Sequence, residues 1–207
     1  MPGEKQSSVN NNTVIDINQH FIINEAYKTI RTNIVLSVIK KDCKKIIISS
    51  AVPCEGKTTT AINVAISLSQ INKKILLIDA DLRKSKIHKL MDLPNSPGLT
   101  NVLNGLSSID KAINKTKIDN LNVLNVFADA LPIIKKSDGV LLVVRPKFVT
   151  HVEIQKTIKN LSFIDAKIIG FIVNNVIHDK FNKYKYKYKT YLKKNYNITD
   201  NYILNLE

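Results

Sequence analysis

The stretch Lys45-Ile-Ile-Ile-Ser-Ser50-Ala-Val-Pro-Cys-Glu-Gly56-Lys57-Thr58 decides the fold. Its first six residues form a short β-branched apolar run, the composition of a strand buried on both faces. A turn follows from Ala51 to Gly56. Beyond it, Thr58–Gln70 sets Ala61, Val64, Ala65 and Leu68 on one helical face. A strand that feeds a Gly-Lys-Thr turn and then a helix is the setting of a phosphate-binding loop, here with Ala51 in place of the usual first Gly. In such a loop, backbone N–H groups of the turn and the helix start point at phosphate oxygens. Lys57 reaches the β- and γ-phosphates, Thr58 ligates Mg2+, and Gly56 permits close approach of the backbone. The expected nucleotide-binding set is Pro53, Cys54, Glu55, Gly56, Lys57, Thr58 and Thr59, and the expected ligand is ATP with Mg2+. The alternative is a chance Gly-Lys-Thr at a helix start.

Outward from the loop, apolar runs alternate with helical stretches. Ile75–Ile78, Leu121–Val126, Val140–Val144 and Lys167–Val173 read as strands, and residues 22–40, 129–137 and 152–163 as helices. That alternation predicts an α/β fold with a mostly parallel sheet and helices on both faces. The expected division is an arm over 1–20, a domain over 21–178 and a Lys/Tyr-rich tail over 179–207. Ligands of such sheets bind at the carboxyl ends of the strands. There the second strand runs into Asp79-Ala-Asp81-Leu-Arg83. Asp79 is a candidate for holding a metal-bound water or accepting a hydroxyl proton, and Asp81 for sharing the metal. A helix-capping Asp beside a solvated one is the plainer alternative.

The chain has 207 residues and a formal net charge of +14, which favours anionic partners. From residue 176 to the end there are seven Lys against three acids, so the charge is not confined to one tail. No nucleic-acid reading module is present, and no specific nucleic-acid partner is expected. The sequence has no apolar run long enough to span a bilayer and no signal-peptide core at its start, so a cytoplasmic protein is expected. Two cysteines, Cys43 and Cys54, are too few for a disulfide framework.

The loop, with Ile78-Asp-Ala-Asp-Leu-Arg83 after the next strand, resembles the bacterial tyrosine kinases of capsule and exopolysaccharide synthesis. Four further stretches carry the resemblance. Glu25-Ala-Tyr-Lys28-Thr-Ile-Arg31 looks like that family's Glu-x-x-Arg-x-x-Arg self-association motif, with Lys28 for the first Arg. Pro97–Gly105 and Asp138–Arg145 match its later loop and strand. Tyr184, Tyr186, Tyr188, Tyr191, Tyr196 and Tyr202 look like its C-terminal tyrosine cluster.

The resemblance implies a P-loop tyrosine kinase that phosphorylates its own tail tyrosines and other protein substrates. It implies catalytic roles for Lys57, Asp79, Asp81 and Arg83, metal binding by Thr58, Asp79 and Asp81, and self-association through Glu25, Lys28 and Arg31 into a homo-oligomer. It also implies recruitment to the inner face of the membrane by a membrane-spanning activator of polysaccharide assembly. One departure stands out. The family's third acidic motif, an apolar strand ending in Asp, has no counterpart where it belongs, because the strand beginning at Leu121 leads directly into Asp129. The expected sheet therefore lacks one central strand. Asp129 is a replacement ligand or the N-cap of the next helix.

Two other readings remain in view. A non-catalytic nucleotide-binding scaffold of polysaccharide assembly is compatible with loss of the third acid. A partition-type P-loop ATPase shares the fold, but those proteins carry Lys where this chain has Val52. Read without the family, Lys183–Lys189, with its strict Tyr/Lys alternation, also fits an edge strand, a nucleic-acid contact or a lipid-surface segment.

Overall fold

A computed structural model describes residues 21–37, 44–81, 84–125, 134, 136–176 and 203–205. Helix α1 spans Phe21–Ser37, and strand β1, Ile46–Ser50, leads through the loop into α2, Lys57–Ser69. Strand β2 covers Ile75–Asp79. Three short helices follow: α3 (Ile87–Leu90), α4 (Leu99–Leu103) and α5 (Ile109–Ala112). After β3 (Ile113–Lys115) and β4 (Leu121–Asn125) come β5 (Gly139–Val144), α6 (His151–Phe163), β6 (Ile168–Val173) and β7 (Ile203–Asn205).

The strands form two sheets rather than one. The first has the order β1-β5-β6-β7 and the second β2-β4-β3. Every pair is parallel except β3 with β4. β5 lies between β1 and β6, and all six of its residues are buried, as an apolar strand covered on both faces requires. The two strands that flank the phosphate loop in sequence, β1 and β2, do not pair with each other. This is the expected α/β fold, and among the described residues no strand joins the two sheets.

Helix α2 spans the break. Val64 and Leu68 pack with Leu141, Val143 and Ile172 of the first sheet. Ile62, Ala65 and Ile66 pack with Leu121 and Val123 of the second. On the same side of the first sheet, α1 contributes Tyr27, Ile30 and Ile34. The opposite face of that sheet receives Ile154 and Leu161 of α6 over Val140, Leu142 and Phe171. A reciprocal capping box fixes the start of α6: Glu153 accepts from Thr150 N at 2.8 Å and from Thr150 Oγ1 at 2.7 Å. The Thr150 backbone N–H and hydroxyl hold the Glu153 carboxyl below its ordinary range.

Cover is incomplete on β2. Its alternation turns Ile75 and Leu77 into the core beneath α2. Leu76 and Ile78 point the other way and are each 44% exposed. The neighbouring β4 is better served, since Leu124 packs with Ala112 of α5 and Leu99 and Val102 of α4.

The boundaries expected from periodicity agree to within a few residues for the five apolar strands and for α1, α2 and α6. The short elements α3, α4, α5 and β3 were not anticipated, being too brief to show a period. A more consequential difference lies at the C-terminus. Residues 179–207 read as a tail, yet Ile203–Asn205 pair in parallel with Phe171–Val173. The six late tyrosines themselves lie outside the described residues. The helix expected at 129–137 and Asp129 itself fall largely or wholly outside the described residues.

Leu76 and Leu142 make opposite predictions. Leu142→Ala, at a site only 2% exposed, should cost about 2–5 kcal/mol. Leu76→Ala should cost about 1 kcal/mol or less, since its side chain retains much of its solvent contact. Urea unfolding of the two variants measures the difference, and equal losses would show that β2 is covered on both faces.

Candidate nucleotide site

At the junction of β1 and α2 the backbone makes the turn that the sequence requires. Gly56 caps α2 with φ 90°, in the left-handed region. A Cβ there would also lie 2.1 Å from Asn174 Nδ2. Glycine is thus required both by the torsion and by the close neighbour. Helix α2 begins at Lys57, and the N–H groups of a helix's first turn have no partner within the helix. Pro53 and Cys54 are exposed, and Gly56, Lys57, Thr58 and Thr59 are half-buried.

Lys57 Nζ lies 3.0 Å from Asp81 Oδ2, with the two side chains 35% and 26% exposed. This pair joins the phosphate loop to the end of β2 across the break in the sheet. Asp81 Oδ1 also accepts from Lys84 N at 3.1 Å. A cation, a carboxylate and the adjacent Thr58 hydroxyl form a donor set that suits a triphosphate with Mg2+, an ion usually bound by one or two carboxylates together with phosphate oxygens.

Asp79 is placed differently. It is 4% exposed and surrounded by donors. Its Oδ2 accepts from Ser85 Oγ at 2.8 Å and from Lys86 N and Ile87 N at 3.1 Å each. Oδ1 accepts from Asp81 N at 3.1 Å. These bonds tie the strand end to the start of α3, the capping alternative open in the sequence. A carboxylate with this many donors on it has little lone-pair capacity left for a substrate hydroxyl.

Glu55 belongs to the expected nucleotide-binding stretch, and its side chain is fully buried. Its carboxylate bridges Val52 N and Arg145 N. Arg145, at the end of β5, is held beside the loop. Its Nη1 reaches Cys54 O at 3.5 Å, and its guanidinium lies 4.9 Å from the Phe148 ring centroid. With the Asn175 amide oriented to satisfy both partners, its oxygen accepts from Arg145 Nε and Nη2 at 3.0 Å each. Sequence reasoning missed Asn174 and Asn175. The available signal was their position, a pair of amides at the carboxyl end of an apolar strand.

The self-association residues are divided. Glu25 and Lys28 pair with each other at 2.6 Å on the exposed side of α1. Arg31 instead donates to Ser67 O of α2 at 3.0 Å. Between them Tyr27 is buried, and burial pushes its hydroxyl pKa up, against hydrogen bonding with Asn63. Arg83 and the six late tyrosines lie outside the described residues.

Asp79→Ala should destabilise the fold by about 1–3 kcal/mol, because it strands buried and half-buried donors around Ser85–Ile87. Asp81→Ala, at a partly exposed ion pair, should cost about 1 kcal/mol or less. Denaturant titration distinguishes them, and an Asp79→Ala protein as stable as wild type would show that the hydrogen bonds to Asp79 are dispensable.

A sequence family described as an AAA domain matches residues 43–131. Tyrosine-protein kinase YwqD of Bacillus subtilis (strain 168) is 47% identical over 100 residues, which is 48% of this chain and 42% of that protein. The putative tyrosine-protein kinase CapB of Staphylococcus aureus is 36% identical over 102 residues, 49% of this chain and 45% of the relative. The chain thus spans under half the length of these two relatives. Among solved structures, the chimerical protein CapA2B2 superposes with a TM-score of 0.70 at 23% identity, covering 80% of this chain and 90% of that one. The kinase domain of the Escherichia coli tyrosine kinase ETK gives 0.66 at 23% identity, covering 75% and 76%. These two likenesses establish the fold, and the residues matched by the AAA domain family include the loop. Over about half of its length, the chain is similar in sequence to proteins named bacterial tyrosine-protein kinases, and in fold it is similar to a tyrosine kinase domain.

Proposed function

We propose that this chain binds ATP with Mg2+ at Gly56–Thr58 and derives from an autophosphorylating tyrosine kinase of capsule or exopolysaccharide synthesis, with phosphoryl transfer weak or absent. The observation that carries the binding half is the Lys57–Asp81 pair at the head of α2, 3.0 Å across. Lys57 and the α2 N-terminus receive the β- and γ-phosphates. Thr58 and Asp81 take Mg2+, and Arg83 stabilises charge on the transferring group. The metal, when bound, neutralises charge on the phosphates. The chain's own residues orient the triphosphate towards an acceptor tyrosine among Tyr184, Tyr186, Tyr188, Tyr191, Tyr196 and Tyr202.

The weak-transfer half rests on two observations. In sequence, the family's third acid has no counterpart. In the structure, Asp79, the carboxylate expected to activate the tyrosine hydroxyl, is occupied by four donors. Phosphoryl transfer depends almost wholly on positioning and charge stabilisation. Loss of a metal carboxylate costs on the order of several kcal/mol, and each ~1.4 kcal/mol is a factor of ten in rate. The same observations favour the second reading, a nucleotide-binding scaffold of polysaccharide assembly that does not transfer phosphate.

Recruitment to the membrane by a membrane-spanning activator, and self-assembly through Glu25, Lys28 and Arg31, belong to this proposal. No helix among the described residues is long and apolar enough to cross a membrane. Because Arg31 is engaged with α2, Glu25 is the better probe of assembly. Glu25→Lys should reduce the mass measured by light scattering under conditions where the wild type assembles.

Lys57→Ala should weaken ATP binding by about 1.5–3 kcal/mol, roughly ten- to a hundredfold in Kd, without unfolding the protein. Calorimetry giving the same affinity in a folded variant would remove the binding proposal. Mass spectrometry after incubation with Mg2+ and ATP should find little phosphate between Tyr184 and Tyr202. Rapid multiple phosphorylation that disappears in Lys57→Ala would instead establish a competent kinase.

A further inference from the structure

A carboxylate inside a loop that cradles phosphate is an electrostatic oddity. The cradle works through backbone N–H groups and Lys57, and an exposed Glu55 would repel a triphosphate. The fold removes that conflict by burying Glu55 completely. Its charge is then balanced by main-chain donors. Oε2 accepts from Val52 N at 2.9 Å, within the loop, and Oε1 from Arg145 N at 3.0 Å, at the end of β5. Hydrogen bonds to an ionised acceptor are stronger than neutral ones, and a buried carboxylate must have them.

The main chain of Glu55 is engaged as well. Its carbonyl oxygen accepts from Asn174 Nδ2 at 2.8 Å. The Asn174 N–H donates to Val144 O at 2.8 Å, which closes a triangle among the loop, the end of β5 and the end of β6. The same Asn174 amide stands against Gly56, where an added Cβ would meet it at 2.1 Å. Three consecutive loop residues, Cys54, Glu55 and Gly56, are therefore held from Arg145 and Asn174. None of these bonds needs a nucleotide to form.

We infer that Glu55 and Asn174 are positioning residues that latch the phosphate loop to the carboxyl ends of β5 and β6 and hold its backbone ready for phosphate. The latch acts on the polyphosphate moiety and not on the base, because what it fixes is the loop backbone. Setting the loop in advance spares binding the entropy of ordering it. It also compensates for the parted sheet, since β1 has a paired neighbour on the β5 side, and it is from that side that the loop is tied. The inference rests on the proposal that Gly56–Thr58 binds phosphate.

The test uses the full chain, with calorimetric titration of Mg-ATP, Mg-ADP and Mg-pyrophosphate into wild type, Glu55→Gln and Asn174→Ala. Glu55→Gln places an amide donor against one of two N–H groups, and Asn174→Ala removes the bond to the Glu55 carbonyl. Each variant should weaken all three ligands by a similar factor, about tenfold or more for the loss of one charge-assisted or buried hydrogen bond. Circular dichroism should show the wild-type fold. Asn174→Ala leaves the buried carboxylate both its donors, and it decides the question if Glu55→Gln fails to fold. A loss confined to ATP and ADP, with pyrophosphate unchanged, would make Asn174 a base contact and overturn the latch. So would unchanged affinity for all three. Wild type that binds neither ATP nor pyrophosphate would overturn the phosphate-site proposal itself, and the latch with it. That result differs from either latch failure, in both of which the wild type binds.

Discussion

Helix α2 is the constraint on which the rest of the molecule depends. In a continuous parallel sheet, β1 and β2 would be joined through backbone hydrogen bonds to intervening strands. Here they belong to separate sheets, and the apolar flanks of one helix hold the two together. Val64 and Leu68 face one sheet and Ile62, Ala65 and Ile66 the other, an apolar surface wider than a single contact stripe needs. The helix that opens with the phosphate loop thus also fixes where the two strand ends lie. The loop and Asp81 can meet only because α2 sets the distance between them.

That arrangement explains the polar inventory of the site. Each half of the parted sheet anchors its own part. Glu55, Arg145, Asn174 and Asn175 bind the loop to β5 and β6 on the first sheet. Asp79 secures the start of α3 on the second. Between the halves, the described ion pair is Lys57 with Asp81, and it is partly open to solvent. A pair of this kind contributes little to stability. Its value is chemical, because it brings a cation and a carboxylate together at a helix N-terminus.

The break also leaves its mark on hydrophobic burial. β5 is buried throughout, as the centre of a doubly covered sheet. β2, equally apolar in sequence, exposes Leu76 and Ile78. Two strands of similar composition thus have different environments because their neighbours differ. Composition sets what a strand can bury, and topology sets what it does bury.

The sequence by itself determined the phosphate loop, the α/β class, the five apolar strands and the principal helices. These are local signals: a Gly-Lys-Thr turn between a β-branched run and an amphipathic helix needs no distant partner to be read. The lack of an acid-bearing apolar run after Leu121 also raised the expectation of a sheet short of one strand, and the described strands fall into two sheets. Tertiary structure alone decided which carboxylates face the site. Glu55, Asp79 and Asp81 all sit at the strand ends in sequence, but Glu55 is buried against Arg145 N, Asp79 against the start of α3, and Asp81 is the one that reaches Lys57. It alone showed Asn174 to be a neighbour of Gly56, and Ile203–Asn205 to be part of the sheet. The reason is physical. A carboxylate's role follows from the donors around it, and those donors come from residues up to ninety positions away, brought together only when the strands align.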